Sequence, residues 1–162
     1  MKRILFNALL VLAVAFGFTA FAQTYGNVRA MGPGPVVSIS SSYDAMPAAV
    51  KTFIKSNFHK VKVTEVNKLT MKGVNELKLS NGYKIEITDA GQWAEVEAPN
   101  NATIPHKLLK KLIPKEAYRY LLSKRIQNRV EEISFDPEKG YKLDVKGHDD
   151  IKYSKEGKRL IQ

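Results

Sequence analysis

The feature that most constrains this chain is that its pattern recurs. Pro47 and Pro114, Val50 and Ala117, Phe53 and Tyr120, and Gly73 and Gly140 are each 67 positions apart. Leu77 and Leu143, Leu79 and Val145, Ile85 and Ile151, and Gly91 and Gly157 are each 66 apart. Matches of like residue type at one spacing, with a single residue lost near the first strand turn, mark a tandem repeat. A unit this small buries its own apolar stripe poorly, so two units gain by sharing a core. The expected solution lays helices on one face of a shared or adjoining antiparallel sheet and leaves the other face open. The fold class is α+β: a tandem repeat of a helix, or helix pair, packed on an antiparallel β-sheet.

Within residues 44–98, the first repeat, Met46, Ala49, Val50, Phe53, Ile54 and Phe58 recur at helical steps, with Pro47 in the first turn, where its missing N–H costs nothing. The period then drops to two, giving a strand with Val61, Val63, Val66 and Leu69, a turn at Lys72-Gly73, and a strand ending on Leu77 and Leu79. A two-residue Asn81-Gly82 hairpin would set Leu79 against Lys84 and mix apolar with charged residues on one face. A three-residue loop, Ser80-Asn81-Gly82 with Gly82 left-handed, instead pairs Leu79 with Tyr83, Leu77 with Ile85 and Asn75 with Ile87. Lys78, Lys84 and Glu86 then point to the opposite, wetter face. The same choice decides the place of Trp93, the chain's one tryptophan. A three-residue Asp89-Ala90-Gly91 loop sets it opposite Ile87 on the helix-covered side, and a four-residue loop moves it to the open face. The habit of the preceding turn favours the first, which requires a bulge to bring Ala94 and Val96 inward as well.

Residues 99–162 form the second repeat. Ile104-Pro105 opens a helix with Leu108, Leu109, Leu112 and Ile113 on one side, and Pro114 interrupts it. A second helix from Lys115 to about Lys124 carries Ala117, Tyr118, Leu121 and Leu122. Strands follow around Val130 to Phe135, Tyr141 to Val145, Ile151 to Tyr153, and Leu160, with turns at Asp136 to Gly140, Gly147 to Asp150 and Lys155 to Gly157.

Ahead of the repeats, residues 1–22 read as a signal peptide: Lys2-Arg3, an apolar run from Ile4 to Phe21, and a small-x-small end at Ala20-Phe21-Ala22. Cleavage before Gln23 removes two of the ten net positive charges, leaving +8, and predicts a periplasmic or secreted protein. Residues 23–43, with Gly-Pro-Gly-Pro and a serine cluster, read as a flexible leader in which Val36 to Ser40 allow a short extended segment. No cysteine is present, which excludes a disulfide framework and thiol chemistry.

The remaining chemistry is sparse. His59, His106 and His148 are scattered, and His148-Asp149-Asp150 reads as a polar turn before it reads as a metal site. Glu95 and Glu97, and Glu131 and Glu132, occupy strand positions that suit solvated faces better than opposed acid–base pairs. No phosphate-binding glycine loop follows a strand, so the sequence predicts no enzyme and no cofactor, and an unrecognised hydrolase has little to stand on. Positive charge concentrates in the second repeat, with fifteen Lys or Arg against nine acids from residue 99 onward. Lys107, Lys110, Lys111, Lys115, Arg119, Lys124, Arg125 and Arg129 form a basic run suited to an anionic polymer or lipid surface. Nucleic acid is not expected, because no aromatic platform is interleaved with those charges.

The stretches MPAAVKTFIKSNF, VTEV, LKLSNGYKIEITDAGQW and IPHKLLKKLIPKEAYRYLLSK resemble the exported PepSY-like, β-lactamase-inhibitor-like family over residues 44–162. The chain departs from that pattern at His59-Lys60, where a proline-glycine pair is common, and at Arg159, which replaces the aromatic of a second G-x-W. The resemblance implies a fold similar to the β-lactamase inhibitor protein, with an open sheet face that holds a partner, and it transfers no catalytic residue. The expected function is a non-catalytic binding or inhibitor-like module that grips another exported protein, an enzyme among the candidates, through Lys78, Lys84, Glu86, Lys142, Asp144 and Lys152. The alternative is an envelope protein held to an anionic polymer or lipid surface by its basic helices.

Overall fold

The computed structural model describes residues 38–160. The expected signal peptide and the leader through residue 37 lie outside the described residues. Among these described residues, nine strands form one sheet whose spatial order is their order along the chain, every neighbouring pair antiparallel. The first repeat supplies α1 (Ala48–Asn57), then β2 (Val63–Leu69), β3 (Val74–Leu79), β4 (Lys84–Ile87) and β5 (Trp93–Glu97). The second supplies α2 (His106–Leu112), α3 (Lys115–Lys124), β6 (Val130–Asp136), β7 (Gly140–Val145), β8 (Ile151–Tyr153) and β9 (Arg159–Leu160). Ahead of both, β1 (Ser38–Ser40) pairs with Asn67–Leu69, and a single 3-10 turn at Tyr43–Ala45 leads into α1. Sheet pairing therefore begins before Asp44, in the part of the leader that allows an extended segment.

The repeats correspond in detail. Pro47 and Pro114 occupy the same N-cap position of α1 and α3. The ladder irregularity between Val63 and Glu65 recurs 67 residues later between Val130 and Glu132. Hairpin closure is shared too: Leu79 N–H bonds Tyr83 O, Thr88 N–H bonds Gln92 O and Ser154 N–H bonds Lys158 O, each at 2.8–2.9 Å around a three-residue loop. The third residue of the first loop, Gly82, has φ +86°, a conformation that a Cβ disfavours. The register that follows is Leu77 with Ile85 and Asn75 with Ile87, as the alternation of the sequence requires.

That register builds a core row across the whole sheet. Val66, Leu77, Ile85, Val96, Ile133, Leu143 and Ile151 are successive cross-strand partners, and each is buried. The row passes without a break across the β5–β6 seam, so the two repeats share one sheet and one core. Val50 and Ile54 of α1, Leu108 and Leu109 of α2, and Ala117 and Leu121 of α3 belong to the same buried cluster. Each such Val, Leu or Ile side chain contributes about 1.5–3 kcal/mol when fully withdrawn from water. Trp93 pairs with Ile87, is 7% exposed and joins this core, with Ala94 as the extra residue that lets Val96 turn inward too. One helix position departs from expectation: Leu122 is 45% exposed. Only Ala117 and Leu121 of α3 are buried, a stripe too narrow to reach it.

Candidate functional site

The face of the sheet opposite the core row carries two rows of polar residues. Asn67, Glu76, Glu86, Glu95, Ser134, Lys142 and Lys152 are successive partners in the first, and Glu65, Lys78, Lys84, Glu97, Glu132 and Asp144 in the second. All six residues expected to grip a partner, Lys78, Lys84, Glu86, Lys142, Asp144 and Lys152, stand in these rows. The two rows cross the seam as the core row does, so both repeats build this surface.

Ion pairs organise the rows. Lys72, in the β2–β3 turn, reaches over to Glu86 at 2.6 Å, and Lys78 holds Glu65 at 2.9 Å. Lys84 pairs with Glu97, while Lys142 lies between Glu132 at 3.6 Å and Asp150 at 3.8 Å. Glu86 lies on the expected face but is only 8% exposed, because the Lys72 chain covers it. It is therefore a buried half of an ion pair, where the sequence suggested a wet contact residue. The hydrogen bond to Glu86 raises the Lys72 ammonium above its usual range, and the bond to Glu97 does the same for Lys84. For Lys142, burial works against the charge, but Glu132 and Asp150 outweigh it.

Asp144, Lys152 and Glu95 stand outside these pairs, and burial shifts the titration of Glu95. Among the described residues it enters no ion pair or side-chain hydrogen bond within the distances seen for its neighbours. Burial pushes its carboxyl above the ordinary carboxylate range, the charges of Glu132 and Glu86 push it further, and Lys72 and Lys84 offset only part of this. A cavity of about 680 Å³ opens beside it, lined by Lys72, Glu86 and Lys142 and, at the end of the sheet, by the residues Trp93, Phe135 and Tyr141, which also pack against the core. The Trp93 ring lies 6.0 Å from Phe135 and 6.2 Å from Tyr141, and the last two are 4.7 Å apart, tilted contacts typical of attractive aromatic packing. The three rings gather beyond Glu95 and Ser134, the last β5–β6 pair at that end. A half-buried carboxylate, a rim of ammonium groups and an aromatic wall in one concave site are the elements of a binding surface. Lys72, Glu95, Phe135 and Tyr141 are the members that sequence reasoning missed. Glu95 had looked like an ordinary outward strand residue, and only the acidic ladder Glu86–Glu95 and Glu97–Glu132, visible once the register is known, distinguishes it.

The basic run is less unified. Arg119 is paired with Glu116 at 2.8 Å, Lys124 sits 5.9 Å over the Tyr120 ring, and Arg125 ends α3 in the left-handed region at φ +58°. Lys110, Lys115 and Arg129 are exposed, while Lys107 and Lys111 line a separate cleft beside α1. Arg159, standing where the first repeat has Trp93, stacks its guanidinium 4.0 Å over Tyr120. His148, Asp149 and Asp150 lie exposed in the β7–β8 turn, and no group of three metal-ligating side chains occurs among the described residues. No helix among them is long and apolar enough to cross a membrane.

Comparison with known proteins gives a consistent picture. A family model described as "Putative beta-lactamase-inhibitor-like, PepSY-like" matches twice, over residues 37–81 and 73–161. No curated protein matches the chain. A solved structure described as a "putative periplasmic protein of unknown function" from Bacteroides vulgatus superposes with a TM-score of 0.64 at 20% identity, over 77% of this chain and 98% of its own. One from Bacteroides thetaiotaomicron, described as a "putative calcium-regulated periplasmic protein", superposes with a TM-score of 0.65 at 21% identity, over 76% and 94%. A second Bacteroides vulgatus structure, a "putative periplasmic protein", gives 0.62 at 19%, over 76% and 94%. These likenesses concern the fold.

Proposed function

The chain belongs to the PepSY-like, beta-lactamase-inhibitor-like family, and from that premise we propose that it is an exported, non-catalytic binding module that engages another envelope or secreted protein through the open face of its sheet. The observation that carries this reading is the continuous polar face built by both repeats, opposite the core into which the described helices α1, α2 and α3 pack, with a cavity of about 680 Å³ at one end. Structural neighbours described as periplasmic support the compartment. The family description, and a site whose charged groups are mostly neutralised by one another, support binding over catalysis.

The half-buried lysines of the face offer the cleanest test, since Glu86 is buried and its replacement would disturb folding. A Lys84→Glu/Lys152→Glu protein used as bait in periplasmic extract should lose a partner that the unaltered protein captures. A Lys110→Glu/Arg129→Glu protein, changed on the helix side, should retain it. Loss by the helix-side variant with retention by the sheet-face variant would reverse the assignment in favour of the basic helices.

A further inference from the structure

A second concave region lies away from the sheet face, where the C-terminal end of α1, the α1–β2 connection and α2 meet. It consists of two cavities of about 370 and 460 Å³ that share Phe58, His59 and Val61. Both volumes fall in the range of small-molecule sites, roughly 300–1,000 Å³. The floor is apolar, made by Ile54, Phe58, Val61, Tyr83 and Leu108. The charged rim is basic throughout: Lys55, Lys60, Lys62, Lys107 and Lys111, with His59 among them and no Asp or Glu in either lining. Charges of one sign repel one another, and lysine side chains at such a rim lack the internal neutralisation that pairs nearly every cation of the open sheet face.

Two details mark this rim. Lys111 Nζ donates to Ser56 O at 3.2 Å, fixing an ammonium across the lip between α2 and α1. Lys60 adopts φ +60°, a left-handed conformation that residues other than glycine, asparagine and aspartate avoid. The chain thus places a lysine where backbone sterics favour glycine, beside a rim already crowded with positive charge. Strain kept at such a position is characteristic of binding sites.

We propose that this cleft binds a medium-chain carboxylate, a fatty acid of about ten carbons taken up as a single molecule, with its chain over Phe58, Val61, Tyr83 and Leu108 and its head group among the rim lysines. The charge complementarity selects an anion, and the apolar floor selects one with a hydrocarbon tail. A polyanion would gain nothing from the floor and would meet the exposed Lys110, Lys115 and Arg129 first, which line neither cavity.

The test is calorimetric titration of the purified protein with decanoate, with amide chemical shifts recorded in parallel. Saturable 1:1 binding is expected, with shifts concentrated in residues 57–61 and 107–111. Decyltrimethylammonium, of equal chain length and opposite charge, should bind at least tenfold more weakly. Lys107→Gln/Lys111→Gln should weaken decanoate binding at least tenfold, whereas Lys110→Gln/Lys115→Gln should leave it within twofold. Val61→Glu, which places a carboxylate on the floor, should abolish it by a route independent of the lysines. Absence of decanoate binding, equal binding of the two amphiphiles, equal loss in the two lysine variants, or binding only to vesicles containing phosphatidylglycerol would each overturn the proposal.

Discussion

Gly73 and Gly140 are counterparts in the two repeats, 67 residues apart, yet replacing each by alanine should have very different effects. Both adopt positive φ, +66° and +90°. The left-handed backbone costs an L-residue roughly 1–2 kcal/mol, offset by about 0.4–1 kcal/mol from the unfolded chain's lost freedom. At Gly73 that is the whole effect, since a Cβ there meets nothing within 4 Å. At Gly140 the Cβ would lie 2.2 Å from Tyr153 O, 2.7 Å from Ser154 C and 2.8 Å from Lys155 N, all backbone atoms. Backbone of an adjacent hairpin cannot swing aside as a side chain does, and overpacking of this kind adds about 1–3 kcal/mol. Gly73→Ala should therefore cost about 1 kcal/mol and Gly140→Ala about 2–4 kcal/mol. Urea unfolding followed by the fluorescence of Trp93, the one tryptophan and a core residue, measures both. With a slope of about 1–3 kcal/mol per molar urea, the two midpoints should differ by roughly 1 M. Equal midpoints would show that β7 and the β8–β9 hairpin do not approach as described, and would remove the steric part of the argument.

Two further outcomes follow from the open face. Because the Glu95 carboxyl is held above the ordinary range in the folded state, the native protein binds more protons than the unfolded chain between the ordinary and the raised value. Its contribution to stability therefore falls as pH rises through that window, so Glu95→Gln should raise the urea midpoint at pH 7 and have little effect at pH 3.5, below both values. A stabilisation of equal size at both pH values would contradict the assignment. Lys72→Ala should cost about 1–2 kcal/mol by leaving the buried Glu86 carboxylate without its partner. Arg119→Ala, at an exposed pair on α3, should stay within about 0.5 kcal/mol, and equal effects in thermal melts would refute the distinction.

Much of the fold was legible because local and global signals agree. The rejection of a two-residue Asn81-Gly82 loop rested on which side chains would share a face, and the resulting register of Leu77 with Ile85 extends through the entire core row. Trp93 followed from the same loop habit, and its bulge at Ala94 answers the demand of Val96 for the same side. Legibility ended where a contact depends on a side chain's reach. Lys72 lies in a turn, and nothing local to Glu86 says that a lysine fourteen residues away will cover it. Leu122 fits a helical stripe by spacing, but α3 presents only a narrow edge to the sheet. Trp93, Phe135 and Tyr141 come together from different repeats, so their cluster exists only once β5 and β6 pair. Ser38–Ser40 lacks any period of its own and is ordered by the edge it pairs with.

The nine strands lie side by side in the order in which they are synthesised. Most ladders are therefore closed by turns of a few residues, where loop-closure entropy is small, and topologies built from such local pairing fold quickly. Two ladders differ, β1–β2 and β5–β6, because helices intervene between their strands. Until the second of these forms, β5 is an edge, with unpaired backbone groups able to template a strand from another chain. The helices α2 and α3 thus set how long that edge waits. The seam that joins the two repeats' open polar face is also the place where a slow folding step would expose the molecule to pairing with its neighbours.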